Sequence, residues 1–218
     1  MVFGKIEYLN LLPFHIFMKR YLRSSQAKAT MHYKGGVPSK INKDFKKCRV
    51  DAAFISSIEA RGYNSLELGI VAKKEVLSVL VKPNTPTKKD SESATSNALA
   101  DVLGIEGEII IGDKALKYYL QNQPYIDLAK EWHNRYKLPF VFALLCFHKD
   151  KKFYKKIEKK FLQKNIKIPQ YLLQQASKKT AIAPKDVLHY LKYISYNVDN
   201  KAKRSVKIFY KELQKRGK

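Results

Sequence analysis

Short apolar segments alternate with amphipathic segments over the first two thirds of the chain. Brief apolar runs bounded by glycine, proline or serine are typical of buried strands, and apolar residues three or four positions apart are typical of helices. The apolar runs predict strands at residues 3–9, 29–36, 50–57, 66–72, 76–82, 108–112 and 138–147. The helical spacing predicts helices at residues 13–23, 39–48, 93–103, 115–121 and 127–137.

The last third of the chain, from Asp150 on, is predicted to be helical throughout. Phe153, Ile157 and Phe161 recur at helical spacing, and lysines fill the positions between them. This pattern predicts amphipathic helices with one solvated face. Breaks are expected near Pro169, near Pro184 and at Asp199 and Asn200.

Strands that alternate with helices predict an α/β protein with parallel sheets, followed by a helical C-terminal tail. Two segments, around residues 76–84 and 138–146, are expected to cross between two short sheets. The chain would then form two lobes with a cleft between them. Lobe I would comprise residues 1–81 and 141–218, and lobe II residues 82–140.

The chain of 218 residues is strongly basic, with a formal net charge of +24. Residues 149–218 alone carry 21 basic and 5 acidic side chains. Clustered lysines can bind nucleic acid, but no zinc-finger spacing, basic zipper or RNA-recognition motif accompanies them. We therefore expect solvated helix faces and no nucleic-acid partner, with a field that attracts small polyanions.

Several other classes of protein are disfavoured. The sequence contains no apolar run of 18 residues and no signal-peptide pattern at its start, so we expect a cytoplasmic protein without a membrane partner. Cys48 and Cys146 lie far apart, which argues against a disulfide framework. The histidines lack paired-ligand spacing, and no GxSxG, Walker or GxGxxG motif occurs. A metal site is therefore not expected.

Polar residues follow several predicted strands, at the ends where ligands collect in open α/β sheets. Free N–H groups and hydroxyls at a helix start suit carboxylate or phosphate, so the sequence predicts a cleft that binds a small organic anion. The candidates are Asn10, Gly35, Gly36, Ser56, Ser57, Ser78, Gly112 and Asp113, with Ser93, Thr95 and Ser96 at a helix start.

Each candidate also has a purely structural interpretation. Asn10 before Leu-Leu-Pro is typical of a turn, and Ser78 lies inside a strand. Ser56 and Glu59 have capping-box spacing, which favours a helix around Glu59. Short polar side chains cap helices, so serines 93–96, Ser39 and Asp113 are candidate caps. Spacing alone goes no further than a two-lobed binder of a small anion.

Seven motifs in order resemble the chorismate dehydratase family of the futalosine route to menaquinone. They are Ile6–Pro13 (IEYLNLLP), Gly36–Ser39 (GVPS), Asp51–Glu59 (DAAFISSIE), Ser93–Ser96 (SATS), Ile111–Leu116 (IGDKAL), Asp127–Trp132 (DLAKEW) and Leu138–Ala143 (LPFVFA). The sequence departs from the family at Glu7, where a proline is usual, and it is shortened between Glu59 and Ser78.

The resemblance implies a two-lobed fold of the periplasmic binding protein type II kind. It implies a hydro-lyase that removes water from chorismate, a small dianion, to give 3-[(1-carboxyvinyl)oxy]benzoate, with neither an organic cofactor nor a metal. Asn10 matches the asparagine of the Tyr-Leu-Asn motif, which contacts substrate, and Ser78 matches a serine on the crossing strand. These two are the expected catalytic residues. The expected substrate-binding residues are Ser56, Ser57, Ser93, Thr95, Ser96, Gly112 and Asp113.

The motifs contain no obvious general base. In the family the enolpyruvyl carboxylate of the substrate is thought to take the proton, and the enzyme would supply fixed donors for developing charge. Two alternatives share the fold: a solute-binding protein, and the sister enzyme that forms dihydroxynaphthoate from cyclic dehypoxanthine futalosine. The sequence carries no signal for an oligomeric state.

Overall fold

The computed structural model describes residues 1–23 and 31–217, and it confirms a mixed α/β architecture with helices near the C-terminus. The strands are β1 (Val2–Lys5), β2 (His32–Gly35), β3 (Ala52–Ser56), β4 (Ser65–Ala72), β5 (Val79–Lys82), β6 (Glu108–Ile111), β7 (Ile126–Asp127), β8 (Phe140–Phe147) and β9 (Ile194–Asn197). The helices are α1 (Leu12–Arg23), α2 (Pro38–Lys46), α3 (Ala94–Leu103), α4 (Gly112–Leu120), α5 (Leu128–Tyr136), α6 (Lys151–Leu162), α7 (Gln170–Thr180), α8 (Pro184–Leu191) and α9 (Asn200–Lys215).

The larger of the two described sheets is mixed, in the order β2-β1-β3-β8-β4-β9. Strand β1 pairs in parallel with β2 and β3, whereas β8 is antiparallel to β3 and β4. The prediction of parallel sheets is therefore wrong for β8 and its neighbours. The chain leaves the large sheet through β4 and returns through β8, so these two adjacent strands must run in opposite directions.

The small sheet has the order β6-β5-β7, and both of its pairs are antiparallel. Residues 73–78 lead into it and residues 137–139 lead back to the large sheet. Each connection contains a non-glycine residue in the left-handed region, Leu77 at φ 60° and Lys137 at φ 55°. Such residues are uncommon and need support from their surroundings. The division into lobes after residues 81 and 140 stays a prediction.

The buried carboxylate of Asp127 supports the first connection. One oxygen, Oδ2, accepts the N–H groups of Val76 and Leu77 at 2.9 and 2.8 Å. The other, Oδ1, accepts the N–H groups of Ala129 and Lys130 at 2.9 and 3.0 Å and so caps α5. Burial raises the pKa of Asp127, and the four N–H donors oppose this shift. One side chain thus fixes both the start of α5 and the residues just before Ser78.

The C-terminal helix α9 packs against the returning part of the chain. Trp132 of α5 is fully buried between Phe140 and Phe209, with ring centroids 5.2 and 5.9 Å away. Its indole Nε1 donates to Ser205 Oγ at 2.9 Å, which satisfies the one polar group of the ring. The last helix is therefore part of the main core, as the apolar face predicted for the tail requires.

Several local predictions are wrong. Helix α2 begins at Pro38 after Val37, so Ser39 does not cap it, and Asp113 lies inside the first turn of α4. The chain around Glu59 forms turns and no helix. The tail contains a strand, β9, which pairs with β4 and forms one edge of the large sheet. The first predicted strand ends at Lys5, and a short 3₁₀ helix at Leu9–Leu11 follows it. Residues 29 and 30 of the second predicted strand lie outside the described residues.

The imidazole of His15 gives the fold a dependence on pH. Burial lowers the pKa of His15 to about 4, and its Nε2 lies 2.7 Å from the Ile6 carbonyl. Since this pKa lies below the ordinary 6.5, the unfolded chain binds more protons between these two pH values. We expect the free energy of unfolding to fall by about 2 kcal/mol as the pH drops across this range. Urea titrations at several pH values would measure it.

The matched variant for this prediction is His15→Gln, whose amide can still donate to the Ile6 carbonyl but does not titrate. We expect the variant to lose about 2 kcal/mol less stability than the wild type over the same pH range. Parallel stability curves for the two proteins would show that the acid sensitivity has another source.

Candidate active site

A narrow cavity of about 70 Å³ lies between the two sheets. Residues from both sides line it, and they include Ile6 and Phe54 near the large sheet and Val79 and Ile111 of the small sheet. A larger groove of about 660 Å³ lies beside α1 and α7, and none of the predicted site residues lines it. Of the predicted site residues, the narrow cavity is lined by Asn10, Ser56, Ser78, Ser93, Ser96 and Gly112.

Three helices begin at this cavity, since Pro38, Ser93 and Gly112 line it at the starts of α2, α3 and α4. Free N–H groups and the positive end of the helix dipole make such ends favourable for anions. Among the residues that the structure describes, no lysine, arginine or histidine lines the cavity. The site therefore offers an anion neutral donors and helix dipoles in place of basic side chains.

Asn10 lies in the 3₁₀ helix that follows β1. Its backbone carbonyl accepts the hydroxyl of Tyr196 at 2.6 Å. Its side-chain Oδ1 is buried and has no hydrogen-bond partner among the described residues. A buried acceptor without a partner costs free energy, so this oxygen is available to a donor on a bound molecule.

Ser78 lies just before β5, at the end of the first connection, and only 3% of it is exposed. Its Oγ accepts the hydroxyl of Tyr190 at 2.8 Å, and its backbone carbonyl accepts the Gly112 N–H at 2.8 Å. Because the Ser78 oxygen is already an acceptor, its own proton is free to be donated into the cavity. The structure thus brings Asn10 and Ser78 to one cavity with complementary hydrogen-bonding capacities.

Ser56 is held by the buried side chain of Asn42. The amide Nδ2 donates to Ser56 Oγ at 2.8 Å, and Oδ1 accepts the Ser56 N–H at 3.2 Å. At the start of α3, Ser93 Oγ accepts the Ser96 N–H at 3.2 Å and lies 2.7 Å from Ser96 Oγ. Ser93 is therefore the N-cap of α3 and also lines the cavity.

Three predicted binding residues lie outside the cavity wall, and two of them, Ser57 and Thr95, contact each other. Ser57 donates its hydroxyl to the Val141 carbonyl at 2.7 Å. Thr95 Oγ1 lies 3.4 Å from Ser57 Oγ and accepts the Ile58 N–H at 3.3 Å. These contacts join α3 to the end of β3. A role for either hydroxyl in binding substrate stays a prediction.

The third is Asp113, which belongs to a set of contacts across the cleft. Burial raises the pKa of Asp113, and the nearby backbone of Leu9 opposes the shift. The hydroxyl of Tyr8 donates to Glu92, and its ring lies 3.2 Å from where a Cβ of Gly112 would be. The loop before α3 and the start of α4 are thereby held against the segment that contains Asn10.

The sequence did not indicate Asn42, Tyr190 or Tyr196 as functional residues. Tyr190 and Tyr196 come from α8 and β9, 112 residues beyond Ser78 and 186 beyond Asn10. A contact over such a separation leaves no local pattern. The reciprocal amide bonds of Asn42 likewise depend on the packing of α2 against β3.

Within residues 1–23 and 31–217, no group of three or more His, Cys, Asp or Glu side chains could hold a metal ion. No helix in this part of the chain is long and apolar enough to cross a membrane.

Comparisons with known proteins show what the chain is similar to. A family model described as menaquinone biosynthesis matches residues 1–107 and 97–215. A chorismate dehydratase from Campylobacter jejuni (strain 81-176) is 52% identical over 215 residues, 97% of this chain and 96% of its relative.

Solved structures show the same fold at low identity. A protein from Archaeoglobus fulgidus superposes with a TM-score of 0.74 at 10% identity, over 99% of this chain and 97% of its own. The periplasmic aliphatic sulphonate-binding protein of Escherichia coli gives 0.58 at 12% identity, over 97% of this chain and 91% of its own. The predicted fold of the periplasmic binding proteins is thus confirmed.

Proposed function

This chain belongs to the menaquinone biosynthesis family, and we propose that it is a chorismate dehydratase, a hydro-lyase that converts chorismate into 3-[(1-carboxyvinyl)oxy]benzoate and water. One observation carries the assignment of the site. Asn10 and Ser78 line a single cavity at which three helices begin. A small dianion with a ring hydroxyl matches this combination of helix N-termini, a free acceptor and a free donor.

The product defines the atoms that leave. It keeps the enolpyruvyl ether and loses the neighbouring hydroxyl, so the proton lost is the one on the ether-bearing ring carbon. This carbon is attached to the ring double bond that is conjugated with the ring carboxylate, and removal of its proton therefore gives an extended enolate. Departure of the neighbouring hydroxyl then makes the ring aromatic. The proton and the hydroxyl leave together as water, and no oxidant or reductant is required.

Asn10 and Ser78 have different tasks in this scheme. The free proton of Ser78 donates to the carboxylate oxygen on which the enolate charge develops, as fixed donors do in other enolate-forming sites. The unpartnered Oδ1 of Asn10 accepts the ring hydroxyl and orients it for departure. The enolpyruvyl carboxylate takes the ring proton and passes it to the departing hydroxyl, which leaves as water, because the cavity offers no Asp, Glu or His among its described lining residues.

The cavity is closed too tightly for free exchange of substrate. About 70 Å³ is far below the ~300 Å³ at which ligand pockets commonly begin. The two units therefore have to separate to admit chorismate, and the connections at Leu77 and Lys137 are where the chain can bend. Small-angle scattering with and without ligand would show compaction on binding.

The contact between Tyr8 and Glu92 is expected to favour the closed form. We expect Glu92→Ala to raise the KM for chorismate about fivefold, the equivalent of one hydrogen bond of ~1 kcal/mol. Glu92→Gln keeps an oxygen acceptor for Tyr8 and should stay within about twofold of the wild type. Steady-state kinetics measure both variants. Equal KM values in the two variants would exclude this role for the contact.

The test of the proposed function is direct conversion. Purified protein is incubated with chorismate in chelator-treated buffer and followed by liquid chromatography with mass detection. A product lighter by one water, aromatic and still carrying the enolpyruvyl group, would support the proposal and the expectation that neither metal nor cofactor is needed. Saturable binding without turnover would favour a solute-binding protein, and turnover of cyclic dehypoxanthine futalosine would favour the sister enzyme. A cytoplasmic location stays a prediction.

A further inference from the structure

We propose that Tyr190 and Tyr196, from α8 and β9 in the lysine-rich C-terminal part of the chain, are positioning residues for Asn10 and Ser78. The inference rests on the proposed function, and it assigns a role in that reaction to the C-terminal segment. Neither tyrosine lines the cavity. Both lie behind it and act through the two residues that do.

Tyr190 connects the two side chains. It is 2% exposed, and its hydroxyl donates to Ser78 Oγ at 2.8 Å. Burial raises the pKa of this phenol, and the side chains of Ser78 and Asn10 beside it oppose the shift. The phenol of Tyr190 is therefore close to both side chains and directs its proton at Ser78.

This phenol sets the direction of the Ser78 hydroxyl at the cavity. With its oxygen occupied by the Tyr190 proton, Ser78 can present only its own proton. Asn10 presents the unpartnered Oδ1 at the same cavity. Without the phenol, the serine hydroxyl could point elsewhere. Tyr190 thus selects the donor role for a hydroxyl that could also accept.

Tyr196 fixes the backbone at the same place. Its hydroxyl donates to the Asn10 carbonyl at 2.6 Å, and its ring packs edge-on against Phe161 with centroids 5.1 Å apart. Strand β9 pairs with β4 of the large sheet. The hydroxyl is therefore held by a sheet and a helix, and it anchors the short 3₁₀ helix on which the Asn10 side chain depends.

The experiment compares three tyrosine-to-phenylalanine variants of the full chain. We expect Tyr190→Phe to lower kcat about 30-fold and Tyr196→Phe about fivefold, each with KM within about threefold, because misorientation acts mainly on the chemical step. The control is Tyr193→Phe. Its hydroxyl lies 3.3 Å from His189 Nε2 on the exposed side of the same segment, and this variant should match the wild type.

A double-mutant cycle separates positioning from general damage. If Tyr190 acts through Ser78, then Tyr190→Phe should have little further effect on kcat/KM in a Ser78→Ala background. The wild type, Tyr190→Phe, Ser78→Ala and the double variant should also show non-additive effects of the two substitutions on the free energy of unfolding, measured without any substrate. Additive effects in both measurements, or wild-type kcat in both Tyr190→Phe and Tyr196→Phe, would overturn the inference.

These experiments distinguish a failure of the positioning role from a failure of the proposed dehydratase function. If wild type and Tyr193→Phe fail to convert chorismate, the proposed function fails, and the unfolding cycle still tests the bond between Tyr190 and Ser78. If Tyr190→Phe does not fold, Tyr196→Phe decides whether the C-terminal segment acts on Asn10. A fall in kcat for Tyr193→Phe equal to that of the other two would attribute the effect to a disturbed segment and contradict positioning.

Discussion

Replacing Asn10 by alanine is expected to lower the kcat for chorismate by a factor of about 100 to 1000, the loss seen when one preorganised polar group is removed from an active site. The variant removes Oδ1, the buried acceptor that has no partner among the described residues. Steady-state kinetics, followed by release of the aromatic product, measure the effect.

The loss should appear mainly in kcat, with a smaller change in KM, because the Asn10 amide is assigned to orienting the ring hydroxyl during the reaction. Asn134→Ala is the control, since Asn134 is exposed and its side chain donates to Glu131 at 3.4 Å on the surface of α5. A kcat for Asn10→Ala within about threefold of the wild type would exclude Asn10 from the chemistry. The unfolding midpoint of each variant would show whether the fold is intact.

Replacing Asp127 by alanine is expected to lower the free energy of unfolding by about 4 kcal/mol, because buried N–H groups without partners each cost ~1–3 kcal/mol. Four N–H groups bind this carboxylate, and two of them belong to Val76 and Leu77. Those residues come just before Ser78, so the remaining folded protein should also turn over more slowly. Urea titration measures the loss in the free energy of unfolding, and the dependence of this free energy on urea concentration should be the same in both proteins.

Two further variants sharpen this prediction. Asp127→Asn keeps one oxygen but turns an NH₂ group toward two N–H donors, so it should not restore stability. Asp199→Ala removes an N-cap that accepts a single N–H, from Ala202 at 2.8 Å, and should cost about 1 kcal/mol. An Asp127→Ala loss no larger than that of Asp199→Ala would show that the connection does not depend on the carboxylate.

The sequence predicted most of the elements, and six of the residues that it singled out line one cavity, because strand ends and helix starts carry local signals. It could not tell which of two neighbouring polar residues faces the cavity. Consecutive residues at a strand end point to opposite sides, and the structure places Ser56 in the cavity wall and Ser57 against Val141. On α3, Ser96 lies three positions after Ser93 and therefore on the same side of the helix, which lines the cavity. Thr95 lies on another side and faces the end of β3.

Local patterns in the sequence could predict neither the direction of the strands nor the contacts of the C-terminal tail with the site. Strand β8 looks like any buried apolar strand, and only the connectivity through the small sheet makes it antiparallel to β4. The amphipathic pattern of the basic tail predicts solvated helices and carries no signal for its tyrosines. Tyr196 reaches the site because β9 joins the large sheet, and Tyr190 lies just before it on α8. The pattern of the tail did not indicate either position.

The position of β8 has a consequence for the order in which the chain can fold during synthesis. Strand β8 lies between β3 and β4 in the large sheet, yet it follows the small sheet in sequence. A ribosome that has released residues 1–139 has therefore supplied every strand of the small sheet, while β3 and β4 still lack the strand that separates them. Domains form as their residues emerge. The small sheet can thus form before the large sheet is complete, and β3 and β4 have to wait for a strand made later.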